Sequence, residues 1–215
     1  WYRLITLIWA PIQFLTLFGI LALTIYTDMS STEKIGLFCA MGVLTGTIGI
    51  NYAHELMHKS GKLERWLADA LLAMVLYSHF RSEHLLVHHI HVGTPKDPVT
   101  AKYNENFYKF FMRVLIQCPS SSFKSETTKL GRKGLPASDF SNPFYIYFAS
   151  QFFMIALSLL IGGFFGLFLF FIQAVVAILL LELVNYIEHY GLSRKSLKNG
   201  KYEFVQPHHS WNSTY

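Results

Sequence analysis

The sequence predicts an all-α integral membrane protein built from transmembrane helical hairpins. Three observations carry this. Apolar residues make up 52% of the chain and charged ones only 14%, whereas soluble domains carry about 25% charge. The apolar residues gather in long runs, and a bilayer core needs about 20 of them in a row. Four runs, 4–26, 35–52, 143–161 and 164–187, approach or exceed that length, and they fall in two close pairs. The whole chain, 1–215, reads as one membrane domain that is incomplete at both ends, since it opens on Trp1 and stops at Tyr215 without a closing signal.

The first helix is expected over 4–26, with Trp1, Tyr2 and Arg3 as an interfacial anchor. Ser31 or Thr32 should cap the second, over 35–58, with Glu33 in its first turn. Gly36, Gly42, Gly46 and Gly49 are spaced for close helix contact. The run 63–80 is interrupted by Asp69 and its apolar core, 66–77, is too short to span, so a re-entrant or interfacial helix is expected there. A helix over 81–91 should end before Pro95 and Pro98. The polar stretch 92–142 reads as a loop: Ser120, Ser121 and Ser122 and the Gly131–Gly134 run look like turns, and only 107–116 looks like an interfacial helix. The second hairpin, 143–161 and 164–189, turns at Gly162–Gly163.

Two hairpins return the chain to the side where it began. Of the 18 Lys and Arg, Lys34 alone then lies opposite, and the positive-inside rule makes the crowded side cytoplasmic. This accounts for the net charge of +5 and the pI near 9.1 without a nucleic-acid partner, and none is expected. Cys39 and Cys118 form no metal or redox pattern, and no disulfide is expected.

The chemistry sits on the cytoplasmic side. His54, His58, His79, His84, His88, His89 and His91 are most of the ten histidines. His54 and His58 are four apart, as are His84 and His88, which on a helix puts both rings of a pair on one face within reach of one ion. His89 should point about 100° away from His88 and serve a second ion. Clustered ionisable groups beside apolar spans mark function, and a histidine-rich metal site is expected. Imidazole suits Fe, Zn, Cu and Ni alike, so these ligands do not choose the metal. HELMH also fits H-E-x-x-H, a zinc-protease pattern with Glu55 as general base, but that reading leaves most of the other histidines unemployed. A bis-His haem carrier would need facing histidines inside the spans, and these lie at span ends.

HELMH, EHLLVHH, VGTPKDP, NYIEHYGL and HSWNS together resemble the membrane-bound alkane hydroxylases, the alkane 1-monooxygenase family. These belong with xylene monooxygenases and fatty-acid desaturases to the histidine-box non-haem di-iron superfamily. The boxes alone indicate the superfamily; NYIEHYGL with HSWNS points to the alkane or xylene hydroxylases. The resemblance implies two Fe, with His54, His58, His84, His88, His89 and His189 as ligands and no catalytic residue beyond the metal site. It implies hydroxylation of an unactivated C–H bond, the terminal methyl of an alkane, with O2 and electrons from rubredoxin and its reductase, in the bacterial inner membrane. The alternatives are oxidation of the methyl groups of xylenes and other alkylaromatics, or desaturation of a fatty acid. Glu55, Glu83 and Glu188 adjoin such histidines, and with Asn51, Asn185 and His209 they are candidates to hydrogen-bond the ligands. His79, His91 and His208 have no place in the pattern. The family's third box, His-x2-His-His, lies shortly beyond HSWNS, and the chain reads as a fragment that stops before it.

Overall fold

The computed structural model describes residues 2–198 and 200–211. Trp1 and the Tyr2 side chain, two of the three residues of the expected anchor, and Asn212 of HSWNS lie outside the described set. Helices α1 (Tyr2–Tyr26) and α2 (Ser31–Met57) are followed by α3 (Lys62–Met74), α4 (80–91), α5 (Phe107–Gly131), and α6 and α7, the arms 144–161 and 164–189 of one apolar run. No strand occurs among the described residues beyond an isolated bridge between Ser196 and Tyr202. Three stretches, Arg3–Tyr26, Ser31–Met57 and Phe144–His189, are long and apolar enough to cross a membrane. Cys39 and Cys118 are free. The chain divides into two compact units, Trp1–Ser78 with Phe144–Leu181, and His79–Pro143 with Glu182–Tyr215.

In the first unit, Ser30 rather than Ser31 or Thr32 caps α2. Its hydroxyl accepts from the Glu33 N–H at 3.3 Å while the Glu33 carboxylate accepts from the Ser30 N–H at 2.7 Å. That reciprocal pair needs the carboxylate three residues after the cap, which selects Ser30. Near its middle α2 contains a π turn, Thr45–Gly49, closed by the bond from the Ile50 N–H to the Thr45 carbonyl. Gln13 of α1 presses there: a Cβ on Gly49 would lie 2.2 Å from its Oε1. That oxygen accepts from the Trp9 indole at 2.8 Å. Arg3 of the expected anchor grips the buried Glu64 carboxylate with its Nε at 3.0 Å and its Nη2 as well. The helix expected over 63–80 ends at Met74, and Leu76 takes a left-handed φ of 56°. It buries Ala68, Leu71 and Leu72 and leaves Trp66 exposed.

The second hairpin closes as the glycine pair demands. Gly163 has φ 58° and ψ −154°, open to glycine and strained for any L side chain. A Cβ on Gly166 would lie 3.1 Å from the Ser158 carbonyl. In a straight helix eight residues rise about 12 Å, so the chain has folded back. Of the four glycines on α2, three make close contacts. Gly42 and Gly46 meet Val176 and Ala177 of α7, whereas Gly36 faces open space. Gln173 bridges the same level: its amide donates to the Met74 carbonyl at 2.7 Å and its oxygen accepts from the Thr45 hydroxyl at 3.0 Å.

In the second unit the greatest departure from expectation is α5. Ser120, Ser121 and Ser122 are not a turn but the middle of a helix of 25 residues. Phe110, Val114, Cys118, Ser122, Glu126 and Leu130 are its buried residues, spaced every four, and a stripe of that period holds a helix through weak formers. Ser121 and Ser122 turn their hydroxyls back onto the Cys118 and Pro119 carbonyls at 3.1 and 3.0 Å, which satisfies them within the helix.

The glycine contacts give a direct test. Gly42→Ala forces its Cβ to 2.7 Å from the Gln173 carbonyl, a backbone atom that cannot step aside, and should cost about 1–3 kcal/mol in overpacking. Gly36→Ala meets nothing within 4 Å and should be neutral or slightly stabilising. Thermal unfolding of both variants in detergent reads the difference, and equal midpoints would refute the close-contact assignment.

Candidate metal centre

The first histidine pair lies at the C-terminal end of α2. The His54 and His58 Nε2 atoms are 3.3 Å apart, with ring centroids at 4.7 Å. Two nitrogens bound at right angles to one ion, with bonds near 2.1 Å, sit about 3 Å apart. The i,i+4 spacing therefore delivers a geometry that fits a shared ion. Of the neighbours expected to support them, Glu55 pairs with Lys59 at 3.9 Å. The Asn51 amide bonds back to the Thr47 carbonyl at 2.6 Å.

The second box departs from the expected arrangement. His84–His88 is a π turn, closed by the His89 N–H on the His84 carbonyl. One added residue per turn brings position i+5 onto the face of i. His84 therefore pairs with His89, not His88, and their Nε2 atoms are 2.8 Å apart, which again fits two ligands of one ion. His88 is turned instead towards His189, ring centroids 4.8 Å apart. The His88 Nδ1 lies 3.0 Å from Asp97 Oδ2. An ionised carboxylate only accepts, so Nδ1 carries the proton and the Nε2 lone pair is left for a metal. The Nδ1 of His189 is buried with no hydrogen-bond partner, an orphan that a bound ion would satisfy.

Asp97 escaped the sequence reading, although Asp-Pro-Val-Thr is its signal: an Asx turn whose threonine reaches back. Its carboxylate accepts from the Val99 N–H at 3.1 Å and the Thr100 hydroxyl at 2.7 Å. Burial alone would raise its pKa, but the His88 hydrogen bond and charge, with Thr100 and Val99, hold it below the ordinary aspartate value. Arg113 of α5 fixes the loop beyond. Its guanidinium makes two bonds to Glu105, at 2.8 and 2.7 Å, and donates to the carbonyls of Pro98 and Thr100. Tyr186 adds a bond from its hydroxyl to the Glu105 carbonyl at 2.6 Å.

The remaining candidates divide. Glu83 is buried, neither oxygen meets an N–H or O–H donor, and the Cys118 thiol lies beside it. Burial, with Asp97 and Glu182 nearby, pushes its carboxyl well above the usual glutamate range. Glu188 accepts from the Ser210 hydroxyl at 3.0 Å, and the Trp211 N–H donates to its carbonyl at 2.8 Å, so NYIEHYGL and HSWNS are joined in space. Asn185 bonds Glu182 at 3.2 Å. The Gln206 N–H donates to His209 Nδ1 at 2.9 Å, which leaves Nε2 to donate to Glu203 at 3.3 Å. His209 is thereby committed to its own turn, and His208 lies exposed beside it. His79 is buried, which lowers its pKa to about 4. His88, His89, Glu188, His189 and His209 together line a cleft of about 270 Å³.

The family described as fatty acid desaturase matches residues 34–215. An alkane 1-monooxygenase 2 of Pseudomonas aeruginosa is 40% identical over 85% of the chain and 48% of its own length. An alkane 1-monooxygenase 1 of the same organism is 34% identical over 100% of the chain and 56% of its own. The xylene/toluene monooxygenase hydroxylase component XylM of Pseudomonas putida is 30% identical over 84% and 47%. The chain spans about half the length of the curated relatives it matches. With its paired histidines, its apolar helices and these relatives, the chain belongs to the histidine-box family of membrane proteins shared by alkane hydroxylases and fatty-acid desaturases.

Proposed function

We propose that the chain carries the metal centre of an alkane hydroxylase, a di-iron monooxygenase that inserts oxygen into the terminal C–H bond of an alkane. The observation that carries this is two imidazole couples, His54 with His58 and His84 with His89, each with its Nε2 atoms close enough to share an ion, in a chain related to alkane 1-monooxygenases. His54, His58, His84, His88, His89 and His189 are the proposed iron ligands. The net reaction is R–H + O2 + 2e⁻ + 2H⁺ → R–OH + H2O, and bound iron would supply the activation of dioxygen. Asp97 fixes the tautomer of His88. Glu83, short of donors, lies beside the box with its carboxyl held well above the usual glutamate range. Rubredoxin with its reductase is the proposed electron source, since the sequence has no haem, flavin or iron–sulfur motif. The bacterial inner membrane is the proposed location, with the histidines on the cytoplasmic side, as the distribution of Lys and Arg supports. The substrate would come from the bilayer, where each CH₂ gains about 0.8 kcal/mol on leaving water. Its route cannot run between α2 and α7 at Gly42 and Gly46, where the backbones already touch. XylM's likeness makes alkylaromatic methyl oxidation the second reading.

Two measurements test this. Metal analysis of the purified chain should find iron, and Asp97→Asn should weaken iron binding about 10–100-fold, as loss of a ligand's hydrogen-bond partner does. Zinc in place of iron would favour the protease reading, and a haem absorption band the carrier reading. Cells expressing the full-length parent and fed n-alkanes and xylenes in parallel should yield mainly 1-alkanols. Benzylic alcohols in excess would move the assignment to the xylene type.

A further inference from the structure

The helix that carries the second box has two working faces. One holds His84, His88 and His89. The other presents Leu86, Val87 and Ile90 as the floor of an open groove of about 710 Å³. The far wall is one stripe of α5, Ser121, Ser125 and Thr128, with Lys124 and Arg132 beside it, and Lys96 closes the near end. Among the described residues no carboxylate lines the groove. Two other basic residues of the unit are already committed. Lys129 pairs with Glu126 at 3.0 Å. Arg194 caps α4, donating to the Ile90 and Val92 carbonyls at 3.0 and 3.3 Å. Lys96, Lys124 and Arg132 are exposed and make no ion pair among the described residues.

We infer that this groove is the docking site of a small acidic electron-carrier protein, and that electrons enter across the box helix itself. The inference rests on the hydroxylase reading. The groove offers what such a carrier needs: an apolar patch for close approach of its redox centre, ringed by cations that select an acidic rim. From the floor to the histidine face is one helix, about 10 Å across, and Val87 is covalently next to His88. Each encounter would pass one electron from the reduced carrier, which is thereby oxidised, to the metal that the histidines would hold. Two encounters supply the two electrons of the net reaction, and the protons come from water. The tail lysines Lys195, Lys198 and Lys201 are equally basic but line no part of this groove, and they are the rival surface.

Binding of a labelled rubredoxin to the purified chain in detergent, read by fluorescence anisotropy across a salt series, separates the two. The triple variant Lys96→Gln, Lys124→Gln, Arg132→Gln should weaken binding about tenfold, at about 0.5 kcal/mol for each rim charge, and should flatten the salt dependence. The matched triple Lys195→Gln, Lys198→Gln, Lys201→Gln should stay within about twofold of the parent on the same scale. Equal losses in the two triples, or no loss in the first, would overturn the inference. So would a first triple that loses adhesion to phosphatidylglycerol vesicles while keeping rubredoxin, because the groove would then be a lipid headgroup site. Equal unfolding midpoints for parent and variants exclude misfolding as the cause. Binding does not require turnover, so failure here is distinct from failure of the hydroxylase assignment, which metal analysis and product analysis decide.

Discussion

The hydrogen bond between His88 and Asp97 is the contact on which the second histidine box depends. An imidazole has two nitrogens and one proton, and a metal can use it only where the lone pair is fixed. Asp97 fixes it by accepting from Nδ1, and everything around Asp97 serves to keep that carboxylate charged and still. Thr100 and Val99 donate to it as well, one to each oxygen. Arg113 holds the following loop by its carbonyls, and Glu105 holds Arg113 in turn. A half-buried arginine would be costly alone. Paired through both oxygens of a carboxylate and bonded to two carbonyls, it has four of its five N–H donors answered. The backbone of HSWNS then ties the His189 end of α7 to the same unit, through Trp211 and Ser210 on Glu188.

The membrane unit shows the same accounting at lower charge. Small hydroxyls inside it bond back along their own helix, Thr24 to the Ile20 carbonyl and Ser158 to the Met154 carbonyl, while the amides reach between helices. Gln13 holds Trp9 and presses on Gly49; Gln173 joins Thr45 to the Met74 carbonyl. In hydrocarbon an unsatisfied amide costs several kcal/mol, so such groups can persist only where neighbouring backbones supply partners. The small residues make that possible by letting the helices approach.

The apolar spans, the paired histidines and the glycine joint were legible in the sequence, because each depends on a local pattern: run length, a spacing of four, a Gly-Gly pair. The exchange of His88 for His89 was not. A π turn adds one residue to a register and leaves no mark in composition, so counting at 3.6 residues per turn assigned the wrong partner to His84. Ser120 to Ser122 misled in another way. Serine's preference for turns is local, and the buried stripe that overrode it runs the length of α5 and is visible only when counted from Phe110 to Leu130. Arg194 is one of the many Lys and Arg on the crowded side, and its use as a cap on a helix about a hundred positions earlier has no local sign. Asp97 stood within a quoted motif, but nothing along the chain said which histidine it would face.

The glycine pair at 162–163 has a consequence for how the chain is made. The apolar run around it covers 46 residues, and as one unbroken helix it would be about 69 Å long, over twice the thickness of a hydrocarbon core. During insertion such a run can enter as one long segment or as two short ones, and the two outcomes send everything after Glu182 to opposite water compartments. The backbone at Gly163, at φ 58°, is what permits the two-segment outcome. A residue that touches no histidine thus settles whether His189 is delivered to the compartment where its partners fold, and a substitution there would be felt as a fault of biogenesis before it was felt as a fault of chemistry.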